Sequence, residues 1–351
     1  IGRGYSKCTG VRCQACTAET TPRRPKTVFT NNPNLCRFVQ VAFVLGCYYC
    51  SMKAIVMKSY GTNDVLAIRD FPEPQLTDDG VMIEVYAAGL NPVDIKIRSG
   101  KMRPLLEYPL PLVPGNDIAG RVVRVGPRVT RFKAGDEVYA SVDKKRLGAF
   151  AEYAVVSEDF LALKPKNLTF AEAASLPLVA LTVCQALHSV ARCKIGQRIF
   201  IKAGSGGVGT FAIQFAKACG LEVATTTSAG NLPWVAQLGA DRVIDYRTER
   251  FEDLLRDFDI VLDSVDDDNP SRGIRILKPG GHLIALAGPP DAKFAQQFGL
   301  NPILQFACFV LSFRETLLSR LAGIHYSFIF VKPSGAQLDT VTQFIEQGKI
   351  K

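Results

Sequence analysis

Three glycines spaced Gly204-x-Gly206-x-x-Gly209 stand between an apolar run, Ile199, Phe200 and Ile201, and an amphipathic one. The second run is apolar at Phe211, Ala212, Ile213, Phe215 and Ala216 and closes at Gly220, after which residues 221–224 read as another apolar strand. Strand, glycine turn, helix and strand in this order is the context in which such glycines cradle a pyrophosphate. They permit a tight turn and close backbone approach, and the helix N-terminus favours the negative charge. The expected cradle is Gly204, Ser205, Gly206, Gly207, Val208 and Gly209. A glycine-rich turn without a nucleotide is the plainer alternative, and the flanks argue against it. Folds selective for NAD usually carry an Asp or Glu at the end of the second strand. Here Thr225, Thr226, Thr227 and Ser228 occupy that place, and Glu222 sits at the wrong end of the strand. Hydroxyls admit a 2′-phosphate that a carboxylate would repel, so NADPH is the expected cofactor. No Lys or Arg follows immediately, and Asn231 stands where a cation would have helped.

Other reactive side chains are less organised. The net charge of +9 is concentrated at the start: residues 1–51 hold seven Lys or Arg against Glu19 alone. A basic patch on the body is therefore not expected, and nucleic acid is not an expected partner. Six of the ten cysteines also lie there, including the pairs Cys13/Cys16 and Cys47/Cys50, a superficial likeness to a four-cysteine zinc site with a long spacer. The chain opens on Ile1, and Met52 begins a clean strand pattern. Residues 1–51 read as non-native or unstructured sequence, with an organelle presequence and a small metal module as alternatives. The expected compartment is the cytoplasm, or an organelle if this segment is a natural presequence. Cys184, Cys193, Cys219 and Cys308 are scattered in apolar segments and read as reduced core residues.

Elements must hold the glycine turn in place. With 47% hydrophobic residues, 351 residues suffice for two cored domains. Strand-like runs at 54–57, 81–87, 120–125, 137–140 and 150–156, separated by dense Pro and Gly, predict a partly open β-barrel. Helical periodicity follows at 170–174 and 181–191. After Thr227, helices near 233–238, 251–256 and 271–277 alternate with strands at 242–246, 259–263 and 281–287. The alternation predicts a doubly wound parallel sheet with its ligand at the carboxyl ends of the strands. Residues 302–320 form an apolar helical stretch, interrupted by Gln305, Arg314 and Glu315. It is expected to be buried or at an interface rather than membrane-spanning. The run 325–331, HYSFIFV, reads as an edge strand.

The body resembles the zinc-independent quinone oxidoreductase and enone (alkenal) reductase branch of the medium-chain dehydrogenase/reductase superfamily. The resemblance covers residues 52–351. It rests on MKAIVMKSYG at 52–61, AAGLNPVDIKIRSG at 87–100, PLVPGNDIAGRVVRVG at 111–126, GDEVYA at 135–140 and GAFAEYAVV at 148–156. ALKPKNLTFAEAASLPL at 162–178, AGSGGVG at 203–209, LGADRVIDY at 238–246 and LKPGGHLIALAG at 277–288 complete it. The resemblance implies α/β architecture, with a GroES-like β-domain at 52–175 and a Rossmann domain at 176–331. A return segment to the first domain would begin at 332–351. Relatives continue some tens of residues beyond IEQGKIK, so a fragment is expected.

The same resemblance implies NADPH-dependent hydride transfer to a quinone or an α,β-unsaturated carbonyl, and a homodimer through the edge strand from His325 to Val331. A cofactor-binding protein with little turnover is the alternative. Zinc-dependent relatives place a Cys in the loop matched by residues 89–93 and a His-Glu pair where Asn116 and Asp117 stand. With His188, His282 and His325 dispersed, no metal is expected. Lys96, Asn91 and Asp94, which the family places beside the nicotinamide, are the candidate catalytic residues. Lys96 is the leading one for a ribose or carbonyl contact, and Asn91 could equally be a turn residue before Pro92. Thr182 is a candidate nicotinamide contact or a helix cap. Ser228 and Tyr246 would touch the adenosine phosphate. Val265, Leu286, Ala287 and Gly288 would line the nicotinamide side, and Tyr153 could face the cleft or, at least as readily, pack within the β-domain.

Overall fold

A computed structural model describes residues 51–265 and 271–351, so the readings made on residues 1–50 lie outside the described residues. Two short strands come first, β1 (Ser51–Met57) and β2 (Leu66–Pro72), paired antiparallel. Beyond them lie β3 (Gly80–Gly89), α1 (Pro92–Arg98), β4 (Asp117–Val125), β5 (Glu137–Ser141), β6 (Tyr153–Ser157) and β7 (Leu161–Leu163). The five later strands form one antiparallel sheet in the order β6-β3-β4-β5-β7. Alternation explains the sheet: Val81 and Ile83 of β3, Ile118 and Val122 of β4, and Val138 and Ala140 of β5 turn into one core. The expected partly open barrel is thus a sheet of five strands with a separate two-stranded ribbon. The β1–β2 ribbon touches the rest through the bridges Ala54–Ala151 and Met57–Leu112.

α2 (Phe170–Ala174) and α3 (Pro177–Cys184) lead into a π-helical turn at Gln185–Val190. The expected helix at 181–191 therefore begins earlier and widens at its end. Proline at the first position of α3 fits a helix start, where its missing N–H costs nothing. The second domain runs β8 (Arg198–Ile201), α4 (Gly207–Ala218), β9 (Glu222–Thr227), α5 (Leu232–Gln237) and β10 (Arg242–Asp245). It continues through α6 (Phe251–Leu254), β11 (Phe258–Asp263), α7 (Ser271–Ile274) and β12 (Leu277–Ala285). β13 (His325–Phe328) closes a six-stranded parallel sheet of order β10-β9-β8-β11-β12-β13. β8 and β11 are buried on both faces, as parallel strands under helices must be. The order reverses between β8 and β11, and that switch point is where an open α/β sheet leaves a crevice at its carboxyl edge.

Three expectations need correction. The helix at 271–277 stops at Ile274, and β12 starts at Leu277 rather than 281. The strand at 325–331 is four residues long, and Ile329 and Val331 turn into the core beyond it. The apolar stretch 302–320 is two helices, α9 (Pro302–Leu311) and α10 (Phe313–Leu321), broken at Ser312, and α8 (Ala292–Gln297) precedes them. It is not a buried helix: Ile303, Phe306, Phe309, Val310, Leu311 and Phe313 are all exposed. Among the described residues no helix is long and apolar enough to cross a membrane.

The last element, α11 (Gly335–Glu346), joins the two sheets. Its Leu338, Val341 and Ile345 pack in the same core as Leu181 of α3 and Phe215 of α4. Against the β-domain, the buried Tyr139 hydroxyl donates to the Leu338 carbonyl at 2.9 Å and lies 2.9 Å from Thr342 Oγ1. Arg131 bridges to Asp339 at 2.7 Å, and Thr342 Oγ1 donates to Leu163 O at 3.1 Å.

Candidate active site

The glycine turn lies at the carboxyl end of β8, as its spacing predicts. Gly204 N–H donates to Thr226 O at 2.8 Å, and Gly206 N–H to Ala203 O at 3.0 Å, so the chain reverses within four residues. Ala203 takes a φ of 58°, an unusual left-handed state for a residue with a Cβ. Any side chain at Gly209 would collide with the Ala203 carbonyl, which ties the first turn of α4 to the strand end. Gly206 caps α4 with an extended backbone, and Gly206 and Gly207 are exposed. The amides of Gly207, Val208 and Gly209 have no acceptor inside α4, and they present the positive end of a twelve-residue helix. Ser205 is half-buried beside them.

The next strand end is built from hydroxyls. Thr225 Oγ1 donates to Ile201 O at 2.7 Å, and Thr226 Oγ1 accepts from Ala203 N–H at 3.2 Å. Both are consumed in holding the turn. Thr227 Oγ1 is buried with no hydrogen-bond partner among the described residues. Ser228 and Asn231 bond one another, Nδ2 to Oγ at 3.3 Å, and Asn231 Oδ1 accepts from the Trp234 indole at 3.0 Å. The Tyr246 amide donates to Thr227 O at 3.1 Å, which brings an exposed tyrosine beside Ser228. Arg247 follows it, exposed, with its guanidinium 5.9 Å from the Tyr246 ring centroid. Sequence reasoning searched for a cation just after the threonines and missed this one. The signal was there, because β10 lies next to β9 in a doubly wound sheet and Asp245 pairs with Thr227.

Below the turn, Lys202 and Asp263 form a buried ion pair at 2.9 Å, linking the ends of β8 and β11. Val265 N–H donates to Asp263 Oδ1 at 3.2 Å, and Leu286 N–H to Asp263 O at 2.8 Å. Val265, Leu286 and Ala287, half-buried, and the exposed Gly288 therefore sit together at the carboxyl edge. On α3, Val179 is the nearest side chain to Gly207, so this helix flanks the turn. Thr182, one helical turn further, is buried and donates to Leu178 O at 2.7 Å. It lies in the helix interior, so it is not a cap.

Across the crevice, Asn91 and Asp94 are spent inside the protein. Asp94 accepts from the Asn91 amide at 2.8 Å, fixing the first turn of α1, and from Asn116 Nδ2 at 2.6 Å. Asn91 Nδ2 donates to Asp117 Oδ2 at 2.9 Å, and the Leu178 amide at the start of α3 donates to the same oxygen at 3.0 Å. Lys144 Nζ donates to Asn116 Oδ1 at 2.9 Å and to Ser141 Oγ at 3.0 Å. All six side chains are buried. Burial pushes the Asp117 carboxyl up to about 6, against the opposing pull of the Lys144 ammonium and the Asn91 and Leu178 donors. It also raises Asp94 and lowers Lys144. Lys96, by contrast, is exposed on α1. Sequence reasoning did not find Lys144: nothing in DKKRLG shows which lysine turns inward.

Tyr153 packs in the β-domain with Met52, Val56 and Phe71, the alternative to facing the cleft, and lines a cavity of about 850 Å³ there. Cys193 and Cys219 are half-buried against the core rather than within it and lie together with His188, so the histidines are not all isolated either; the His282 and His325 rings also meet at a tilt on neighbouring strands, centroids 4.9 Å apart.

A GroES-like sheet joined to a parallel sheet with a glycine turn at its switch point is the architecture of a dinucleotide-dependent dehydrogenase or reductase. Comparison with known proteins agrees. The family descriptions "Alcohol dehydrogenase GroES-like domain" and "Zinc-binding dehydrogenase" match residues 77–166 and 238–351. A 2-methylene-furan-3-one reductase of Solanum lycopersicum is 44% identical over 272 residues, 72% of this chain and 69% of that protein. An NADPH-dependent alkenal/one oxidoreductase, chloroplastic, of Arabidopsis thaliana is 44% identical over 255 residues, 69% of this chain and 65% of that protein. The quinone oxidoreductase structure from Coxiella burnetii superposes with a TM-score of 0.73 at 29% identity, covering 86% of this chain and 90% of that one. The chain belongs to the medium-chain dehydrogenase/reductase superfamily, in its quinone oxidoreductase and enone reductase branch. It is an oxidoreductase of the NAD(P)H-using type.

Proposed function

We propose that the protein reduces a carbon–carbon double bond conjugated to a carbonyl, at the expense of NADPH and without a catalytic metal. The observation that carries the cofactor is the strand end beside the glycine turn: the end of β9 holds Thr227 and Ser228 in place of a carboxylate, with Tyr246 and Arg247 alongside after β10. The cradle fits the group, since Gly204 and Gly209 admit no side chain and so hold the turn tight, while the exposed Gly206 and Gly207 and the first amides of α4 face outward. The substrate class rests on the names of the two plant relatives. A quinone, as in the Coxiella protein, is an acceptor of similar electronic demand.

NADPH supplies the hydride when bound. The chain's own residues bind and orient. Gly204 to Gly209 hold the pyrophosphate, Thr227, Ser228, Asn231, Tyr246 and Arg247 hold the adenosine phosphate, and Thr182, Val265, Leu286, Ala287 and Gly288 border the nicotinamide. Lys96 donates to the carbonyl oxygen as it gains charge, or to the ribose. Asn91 and Asp94 are positioning residues that fix α1 and hence Lys96, because both of their side chains are occupied by protein donors and acceptors.

Metal independence rests on the Lys144 ammonium. It is hydrogen-bonded to Asn116 and paired electrostatically with Asp117 and Asp94, among the residues that correspond to zinc ligands in zinc-dependent relatives. A cation of the protein's own serves there, and chelators are expected to leave turnover unchanged. We also propose a homodimer that continues the sheet at β13 and covers the exposed apolar side chains of α9 and α10. For the compartment, the basic segment 1–51 and the chloroplastic name of one relative favour organelle import over the cytoplasm. A reporter fused to this segment distinguishes the two.

The test is steady-state oxidation of NADPH by the full chain with a panel of enones and quinones, with and without a chelator. Turnover with enones is expected. Protection from thermal unfolding by NADPH with no turnover on any acceptor would make this a binding protein instead.

A further inference from the structure

Away from the crevice, at the opposite end of α4, three soft ligands converge. His188 stands on the π-helical turn after α3, Cys193 follows in the loop, and Cys219 is the residue that ends α4. Their ligand atoms all lie within 4.8 Å of one another. Cys219 Sγ and His188 Nε2 are 3.6 Å apart. A tetrahedral zinc ion, with bonds of about 2.3 Å to sulfur and about 2.0–2.1 Å to nitrogen, separates an S and an N ligand by about 3.6 Å and two sulfurs by about 3.8 Å. The observed pair thus already has the spacing of two ligands on one ion.

The backbone builds this place with some care. The helix widens so that Ala191 N–H reaches back five residues to Ala186 O, and Cys193 N–H reaches six to Leu187 O. Arg192 takes a φ of 49°, a left-handed turn that returns Cys193 towards His188. Gly196 N–H donates to Gly220 O at 2.9 Å, fastening the Cys193 loop to the end of α4. The His188 ring packs on Phe215, with centroids 5.2 Å apart. Two helix ends meet here carbonyl-end first, an arrangement that favours a cation.

We propose that His188, Cys193 and Cys219 form a zinc site on the dinucleotide-binding domain, with its fourth position open to water. Two thiolates and an imidazole suit zinc better than the oxygen-seeking divalent ions. The ion would fasten the end of α3 to the end of α4, roughly 18 Å along a twelve-residue helix from the glycine turn. Its role is structural, and turnover does not pass through it. The inference therefore stands independently of the substrate reading.

The test uses the full chain, reduced and stripped with a chelator, then titrated with zinc or cobalt(II). The cysteines of residues 1–51 contribute equally to every variant, so the difference between variants isolates the site. The wild type is expected to bind one zinc equivalent more than the Cys193→Ser/Cys219→Ser variant. Its cobalt form should show additional tetrahedral and thiolate charge-transfer absorption. Zinc is also expected to protect Cys193 and Cys219 of the wild-type chain from alkylation, mapped by peptide mass, and NADPH turnover should be the same in both proteins. Equal zinc equivalents together with unprotected cysteines would overturn the proposal. So would protection that survives His188→Ala unchanged, because the imidazole would then be no ligand.

Discussion

Asp117 concentrates the electrostatics of the crevice in one carboxyl group. It is fully buried, one of its oxygens accepts two hydrogen bonds, and the other has no hydrogen-bond partner among the described residues. Its folded pKa of about 6 lies above that of an unfolded carboxyl. Between about pH 4 and about pH 6 the native state therefore holds a proton that the unfolded state has lost. Stability contributed by this group is fully present below that window and is lost as pH rises through it. Asp117→Asn cannot titrate. Urea unfolding should show the wild type losing about 3 kcal/mol relative to this variant across the window, and parallel curves would refute the assignment. Arg247 makes a separate prediction. If it clamps the 2′-phosphate, Arg247→Ala should raise KM for NADPH by about 10–100-fold and leave KM for NADH unchanged, as expected for one charge-assisted contact. Equal effects on both cofactors would remove Arg247 from the site. At this scale the sequence was only partly legible. The glycines and threonines were readable because they are contiguous on the chain. Lys144 was not, since which lysine turns inward depends on contacts between distant segments, and Arg247 becomes legible only once the predicted sheet order sets the end of β10 beside Thr227.

Among elements, α11 decides whether the two sheets act as one body. Tyr139 of β5 reaches across to two positions of that helix, Leu338 and Thr342, and its hydroxyl is buried. Tyr139→Phe should lower stability by about 1–3 kcal/mol in denaturant unfolding, the cost of leaving buried polar partners without their bond. An unchanged midpoint would show that apolar packing alone docks the helix. The order of elements in the second domain was legible, because βα alternation with glycine punctuation admits few topologies. Their ends were less so: β12 begins at Leu277, four residues before the start that sequence reading gave it, and the helix after α3 widens to π geometry. The break at Ser312 escaped detection for a physical reason. Ser312 Oγ donates to Cys308 O at 2.8 Å, and nothing in the apolar run FACFVLSF announces that bond.

For the whole molecule, the exposed face of α9 and α10 is the feature that a lone chain explains least well. Ile303 is 80% exposed, Phe306 67% and Leu321 76%, beside the open edge at β13. Ile303→Lys/Phe306→Glu should convert a dimer to a monomer in sedimentation velocity, and an unchanged species would place the contact elsewhere. The architecture as a whole was legible because a GroES-like sheet and a doubly wound sheet each leave a strong local pattern. The acceptor was not, since no residue bordering the crevice is peculiar to one electron-poor substrate.

The proposed reaction delivers the hydride to carbon conjugated with a carbonyl, and label transfer follows that atom. The full chain would be given an enone and NADPH deuterated at the transferring position of the nicotinamide, and the product located by mass spectrometry and NMR. Deuterium at the β-carbon of a saturated ketone is predicted. Deuterium at the carbonyl carbon of an alcohol would contradict enone reduction.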